Sequence, residues 1–135
     1  MNPLVPLIWI AGVVHVMLLL ANAVVPQKLD YRRNLERVSP IIRQVFVLHT
    51  IFILLTVTAF AALCFFYAPA LAAGTGVARA ISGFIALYWL LRLTLQFLYV
   101  DKQTRRANRL GDWAYSLAIF SIGAVFALAA TGMVK

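Results

Sequence analysis

The chain has 135 residues, of which 64% are hydrophobic and only 12% charged, and its mean hydropathy is +0.92. So little charge cannot furnish the polar surface that a water-soluble domain of this length needs, which excludes an ordinary soluble fold. The net charge of +8 falls almost wholly in two short stretches between apolar runs. That is the positive-inside pattern of a membrane protein and not a nucleic-acid groove.

The apolar runs predict an all-α integral membrane protein: a single domain over residues 1–135 forming a four-transmembrane-helix bundle. The spans are expected at approximately 3–25, 40–67, 77–100 and 112–134. Asn2-Pro3 opens the first with a capping side chain and a proline whose missing N–H costs nothing in the first turn. No basic segment precedes this run, so it is expected to stay in the mature protein and not be cleaved as a signal peptide. It carries His15 and Asn22 on one face and stops at Pro26.

Residues 26–40 form the first charged connection. Tyr31, Leu35 and Val38 recur at intervals of four and three, which predicts a short amphipathic cytoplasmic connection lying in the interface. Ser39-Pro40 repeats the cap-plus-proline start for the second span. That span holds His49 and the single cysteine, Cys64, which excludes an intrachain disulfide and reads as a small packing residue. A turn containing Pro69, Gly74 and Gly76 leads to the third span. Beyond it lie Asp101, Lys102, Arg105, Arg106 and Arg109, a basic run expected to extend that helix. Gly111 is expected to break it and Asp112 to cap the fourth span. There Gly123, Ala127 and Thr131 make a small-residue ridge suited to the bundle interior or to an oligomer interface, the bundle being favoured.

The two basic loops place both termini on the outer side of a bacterial inner (cytoplasmic) membrane. They also imply contact with anionic membrane lipids. A homo-oligomer or a larger membrane complex is compatible with a bundle of this size. No nucleic-acid partner is expected.

The third span holds the most informative polar pattern. Tyr88, Arg92, Gln96 and Tyr99 are spaced four, four and three, one stripe of a helix. An arginine inside a membrane helix costs about 2.5–3.5 kcal/mol on insertion scales and faces a partner, a cavity or other helices. Counted from the cytoplasmic ends, His15, His49 and Arg92 lie roughly 15, 12 and 13 Å deep at 1.5 Å per residue. Asn22 and Gln96 lie nearer that end on the same stripes, and Tyr115 and Ser116 enter from the fourth span. No acidic residue lies deep in any span, so Arg92 lacks an evident counter-ion.

The leading expectation is a non-catalytic accessory or binding subunit. It would hold an anionic lipid, cofactor or partner in a cytoplasmic-side polar pocket, with Arg92 as anchor and Gln96, Tyr88, His15 and Asn22 shaping the site. A lipid phosphate, a carboxylate or a haem propionate would each satisfy the guanidinium. The plainer reading has Arg92 satisfied by backbone carbonyls, tyrosine hydroxyls and Gln96 as helix glue. An alternative is a b-type haem held axially by His15 and His49; against it stand histidines simply hydrogen-bonded within the bundle. A metal site or catalytic triad has no supporting cluster.

Several stretches resemble small uncharacterised four-span bacterial membrane proteins. They are His15; Pro26, Leu29, Asp30, Arg32 and Arg33; Pro40, Arg43 and Gln44; and Gly83, Phe84, Ala86, Trp89, Arg92, Leu93, Gln96 and Phe97 ending at Asp101. The resemblance covers most of the chain and brings no assigned activity. In outline the chain is also similar to the MAPEG enzymes, in size, basic loops and four helices. Their Glu-Arg…His-x-Asn-x-x-Glu pattern is absent apart from Leu35-Glu36-Arg37. That similarity implies a transferase using Arg92 and Tyr99 near the cytoplasmic face. The haem-binding HemJ-type oxidases share an early histidine in the first span, but the lysine of their third span has no counterpart nearer than Arg92.

Overall fold

The computed structural model describes residues 1–134, which form six helices and, among the described residues, no strand. Four are long and apolar enough to cross a membrane: α1 (Leu4–Lys28), α3 (Pro40–Ala73), α4 (Gly76–Tyr99) and α6 (Arg109–Thr131). Two six-residue helices, α2 (Tyr31–Glu36) and α5 (Lys102–Ala107), connect them. Four such helices give the chain the outline of a multi-pass membrane protein.

The packing is that of two helical hairpins. α1 lies along α3 and α4 along α6, and lesser contacts join α1 to α6 and α3 to α4. A glycine sits at each main crossing. A Cβ on Gly12 would stand 2.9 Å from Cβ of Cys64, and one on Gly123 would stand 2.7 Å from Leu90 Cδ2. Both hairpins therefore close to near backbone contact, and Gly123 of the small-residue ridge serves the interior.

One end of the bundle is tied. Asn2 Nδ2 donates to the carbonyls of Ala72 (3.1 Å) and Val134 (2.8 Å), while its Oδ1 accepts the Leu4 N–H at 2.8 Å. Arg79 donates to the carbonyls of Ala130 (2.7 Å) and Thr131 (2.6 Å), groups that the end of α6 would otherwise leave open. Gly74 and Gly132 terminate α3 and α6 in left-handed conformations, φ +59° and +66°, and lie against each other. The opposite end carries α2, α5 and most of the charge.

Burial follows the ties. The core draws on residues 4–18 of α1 and 57–72 of α3, packed on Ile85, Ala86 and Trp89 of α4 and Ile119, Ile122 and Phe126 of α6. Toward the basic end, residues 20–25 of α1 and 44–49 of α3 are uncovered. The hairpins thus pack at the tied end and part at the basic one.

Three boundaries differ from expectation. α1 continues through Pro26 to Lys28, because a proline so near the end forfeits only one internal bond and the Leu29 N–H still reaches the Val25 carbonyl at 3.0 Å. α3 does not stop near Tyr67 but runs 34 residues to Ala73. Tyr67 takes a non-helical conformation (φ −125°, ψ 17°) that accommodates Pro69, and burial of Ala68, Leu71 and Ala72 holds the extra turns in place. The basic run is not an extension of α4. Val100 is extended, Asp101 caps α5 by accepting the Thr104 N–H at 3.3 Å, and the break before α6 falls at Asn108. Gly111 and Asp112 consequently lie inside the first turn of α6, and Asp112 is not its cap. The amphipathic stripe of the first connection is present: Tyr31, Leu35 and Val38 are half-buried among exposed neighbours. Arg43 donates to the Leu35 carbonyl at 3.0 Å and anchors α2 to α3.

Gly74 and Gly76 both have positive φ (+59° and +52°), but only Gly74 faces backbone across the tie, with Gly132 Cα 2.9 Å from a built Cβ. Each alanine substitution should carry a left-handed penalty of about 1 kcal/mol. Gly74→Ala should cost a further ~1 kcal/mol or more for overpacking. Thermal unfolding of both variants in detergent checks this, and equal midpoints would show that the tie is loose.

Candidate functional site

A recess of about 140 Å³ opens where the hairpins begin to part. All four long helices contribute: Leu18 and Asn22 from α1, Ile53 and Val57 from α3, Tyr88, Trp89 and Arg92 from α4, and Tyr115 from α6. Four-residue spacing on α1 and α3 places each pair on one face a turn apart.

Its floor is aromatic. Trp89 is buried and its ring meets Tyr88 edge-on at 5.1 Å and His15 at 5.4 Å, while Phe60 meets Tyr88 at 5.2 Å. His15 is 0% exposed. Its Nε2 accepts the Trp89 Nε1–H at 2.9 Å, and its Nδ1 lies 2.7 Å from the Ala11 carbonyl. Indole is only a donor and a carbonyl only an acceptor, so these partners fix the neutral Nδ1–H tautomer. A second ring proton would set two N–H groups head to head.

Arg92 stands at the opening. Its guanidinium lies over the Tyr115 ring, 5.8 Å from the centroid, and the residue is exposed. Among the described residues no carboxylate or carbonyl pairs with it; the ion pairs are Arg32–Glu36 and Arg105–Asp112. No acidic side chain lines the recess. Its polar lining is instead donor-rich, with the guanidinium and two phenol hydroxyls. The Asn22 amide is engaged at 2.8 Å with the Leu18 carbonyl, and Pro26 removes the N–H that the Asn22 carbonyl would receive in an unbroken helix.

The expected site residues therefore divide. Arg92, Tyr88 and Asn22 share the recess, and His15 lies beneath it as the partner of Trp89. Gln96 does not line it. It is 5% exposed and donates to Asp112 Oδ1 (2.9 Å) and Ser116 Oγ (3.1 Å) between α4 and α6. Tyr99 is 81% exposed beyond the bundle. Each four-residue step overshoots a full turn by about 40°, so a stripe beginning at Tyr88 has turned by about 80° at Gln96. That drift carries it from the recess to the α6 contact.

His49 is exposed and its Nδ1 meets the Val45 carbonyl at 2.8 Å. The structure does not bring it together with His15, and both nitrogens of His15 already have partners. Axial ligation needs two free nitrogens facing one another, so the haem reading gains no support from this arrangement. The Arg92–Tyr99 pairing of the transferase reading is likewise not assembled. Among the described residues no group of three or more metal-ligating side chains converges.

Two participants escape sequence reasoning. Tyr115 is visible there only as a residue of suitable depth, since nothing local reveals which helix α6 faces. Asp112 reads as a cap, whereas it binds Arg105 through both oxygens at 2.9–3.2 Å. Its seven-residue separation from Arg105 is the available signal.

Removing either member of the His15–Trp89 pair strands a buried polar group, which costs about 1–3 kcal/mol. His15→Phe and Trp89→Phe should each lower stability by that amount. Together they should cost less than their sum, since the double variant strands nothing. A thermal-unfolding double-mutant cycle in detergent checks this, and strict additivity would mean the bond contributes nothing. Comparison of the chain with protein-family models, with curated proteins and with solved structures found no match.

Proposed function

We propose that the protein is a multi-pass component of the bacterial inner membrane that binds an anionic ligand in the recess beneath Arg92. It acts as an accessory or holding protein and not as a catalyst. Both termini lie on the outer side, and the two basic connections face the cytoplasm, in keeping with the positive-inside rule. The tied end is then the outer end and the recess opens toward the cytoplasmic leaflet.

One observation carries this reading: Arg92 lines a four-helix recess with no anionic or carbonyl partner among the described residues, beside hydroxyls that can only add donors or weak acceptors. A guanidinium at membrane depth is expensive unless something accepts its hydrogens. A carboxylate or phosphate group would do so bidentately. The recess volume suits a headgroup, and the apolar walls at Leu18, Ile53 and Val57 suit an attached chain or ring. A lipid, an amphiphilic cofactor or an acidic side chain of a partner subunit shares this chemistry. The uncovered flanks of α3 near the basic end leave room for lipids or further subunits beside the site.

Purification in mild detergent followed by native mass spectrometry tests the proposal. An anionic small molecule should co-purify with the wild type. Arg92→Leu should reduce its retention about tenfold or more, as expected for loss of one partner of a desolvated charge pair. Retention unchanged in Arg92→Leu, accompanied by a higher thermal midpoint, would overturn the assignment, because the guanidinium would then be only a desolvation burden.

A further inference from the structure

A second cleft, of about 250 Å³, lies at the basic end where α5 turns into α6. The break at Asn108 (φ −129°, ψ 55°) brings Lys102, Arg105 and Arg106 from one side together with Arg109, Asp112 and Trp113 from the other. Four cations thus meet one carboxylate. That carboxylate is already committed, receiving three contacts from Arg105 at 2.9–3.2 Å and one from Gln96 at 2.9 Å. Arg105 is also stacked over Phe97, 4.3 Å from the ring centroid. It is a fixed wall of the cleft. Lys102, Arg106 and Arg109 have no ion-pair or hydrogen-bonding side-chain partner among the described residues.

We infer that this cleft is a headgroup site for an anionic phospholipid, one bearing two phosphates in preference to one. Three uncommitted cations exceed what a single phosphodiester neutralises, and a basic pocket at the cytoplasmic ends of spans is the setting in which doubly charged headgroups are recognised. Trp113, 67% exposed, stands beside the cations with its ring available at headgroup level. Exposed Leu98 and Leu110 lie on the adjoining ends of α4 and α6, where acyl chains would start. The inference rests on the membrane orientation proposed above but not on the Arg92 recess, which lies about two turns deeper on α4.

Lipid titration of the full chain in mild detergent, read by native mass spectrometry, tests it. The probes are synthetic diphosphatidylglycerol, phosphatidylglycerol and phosphatidylcholine. Affinity should fall in that order, and millimolar inorganic phosphate should not displace the first. At about a fivefold loss per cation, Lys102→Gln/Arg106→Gln/Arg109→Gln should weaken diphosphatidylglycerol binding on the order of a hundredfold. In an Arg92→Leu background, which removes the anchor of the recess, the charge variants should show the same fold losses, which separates this site from the recess. If the triple variant does not fold, Arg106→Gln and Arg109→Gln alone should each show the fivefold loss. Equal affinity for the zwitterionic lipid, displacement by free phosphate, or unchanged binding in the charge variants would overturn the inference.

Discussion

The hydrogen bond from Trp89 to His15 is the constraint on which the interior depends. It joins α1 to α4, helices from different hairpins that have little backbone contact with each other. Everything at the apex between the hairpins is arranged around it. Phe60 and Tyr88 pack on its two rings, Val57 and Leu18 close over it, and the recess begins where this cluster ends. Because the imidazole spends its second nitrogen on the Ala11 carbonyl, neither polar group is left seeking a partner. In a core that is otherwise mostly apolar, such a pair sets the relative height of two helices more strictly than apolar packing can.

Below that bond the polar ties at Asn2, Arg79 and the facing glycines hold the tied end together. Above it, among the described residues, no side-chain hydrogen bond links α1 and α3 to α4 and α6. The Gln96–Asp112–Arg105 network lies wholly within the second hairpin and its connector. The parting of the hairpins therefore follows from where the sequence spends its hydrogen-bonding groups. One end has Asn2, whose side chain crosses between hairpins to the Val134 carbonyl; the other has side chains that satisfy their own neighbours, as Asn22 does with Leu18 and His49 with Val45.

The architecture is legible in the sequence because it rests on properties that survive without neighbours: length, apolar content and charge placement along each run. Even the half-buried stripe of Tyr31, Leu35 and Val38 can be read from spacing. Boundaries are less so. Pro69 looks like an end, yet the burial that carries α3 past it comes from residues of other helices. The site is legible in part. Depth and stripe find Arg92, Tyr88 and Asn22, but depth does not encode rotation. His15 is buried against Phe60, eleven residues along α3 from the exposed His49, so the equal depth counted from the apparent span ends does not hold, and no interval within a single helix reveals it.

Arg105 and Arg92, two of the arginines of the second hairpin and its connector, show how a structural cation differs from one left available to a ligand. Arg105 has a carboxylate seven residues away, a ring beneath it and a place in a hydrogen-bonded network; its positive charge is spent on the fold. Arg92 has a ring beneath it and, among the described residues, no acceptor. A chain with four acidic residues in all commits Asp112 to Arg105, Glu36 to Arg32 and Asp101 to the start of α5. The fourth, Asp30, takes a left-handed conformation at the start of α2, at the basic end and apart from the recess. No acidic side chain is thus in place to neutralise the deepest arginine, and closing the hairpins further would not supply one. An anionic group from outside the chain would give Arg92 the acceptor that no acidic side chain supplies, and that is the physical basis for the proposal that the recess is a binding site.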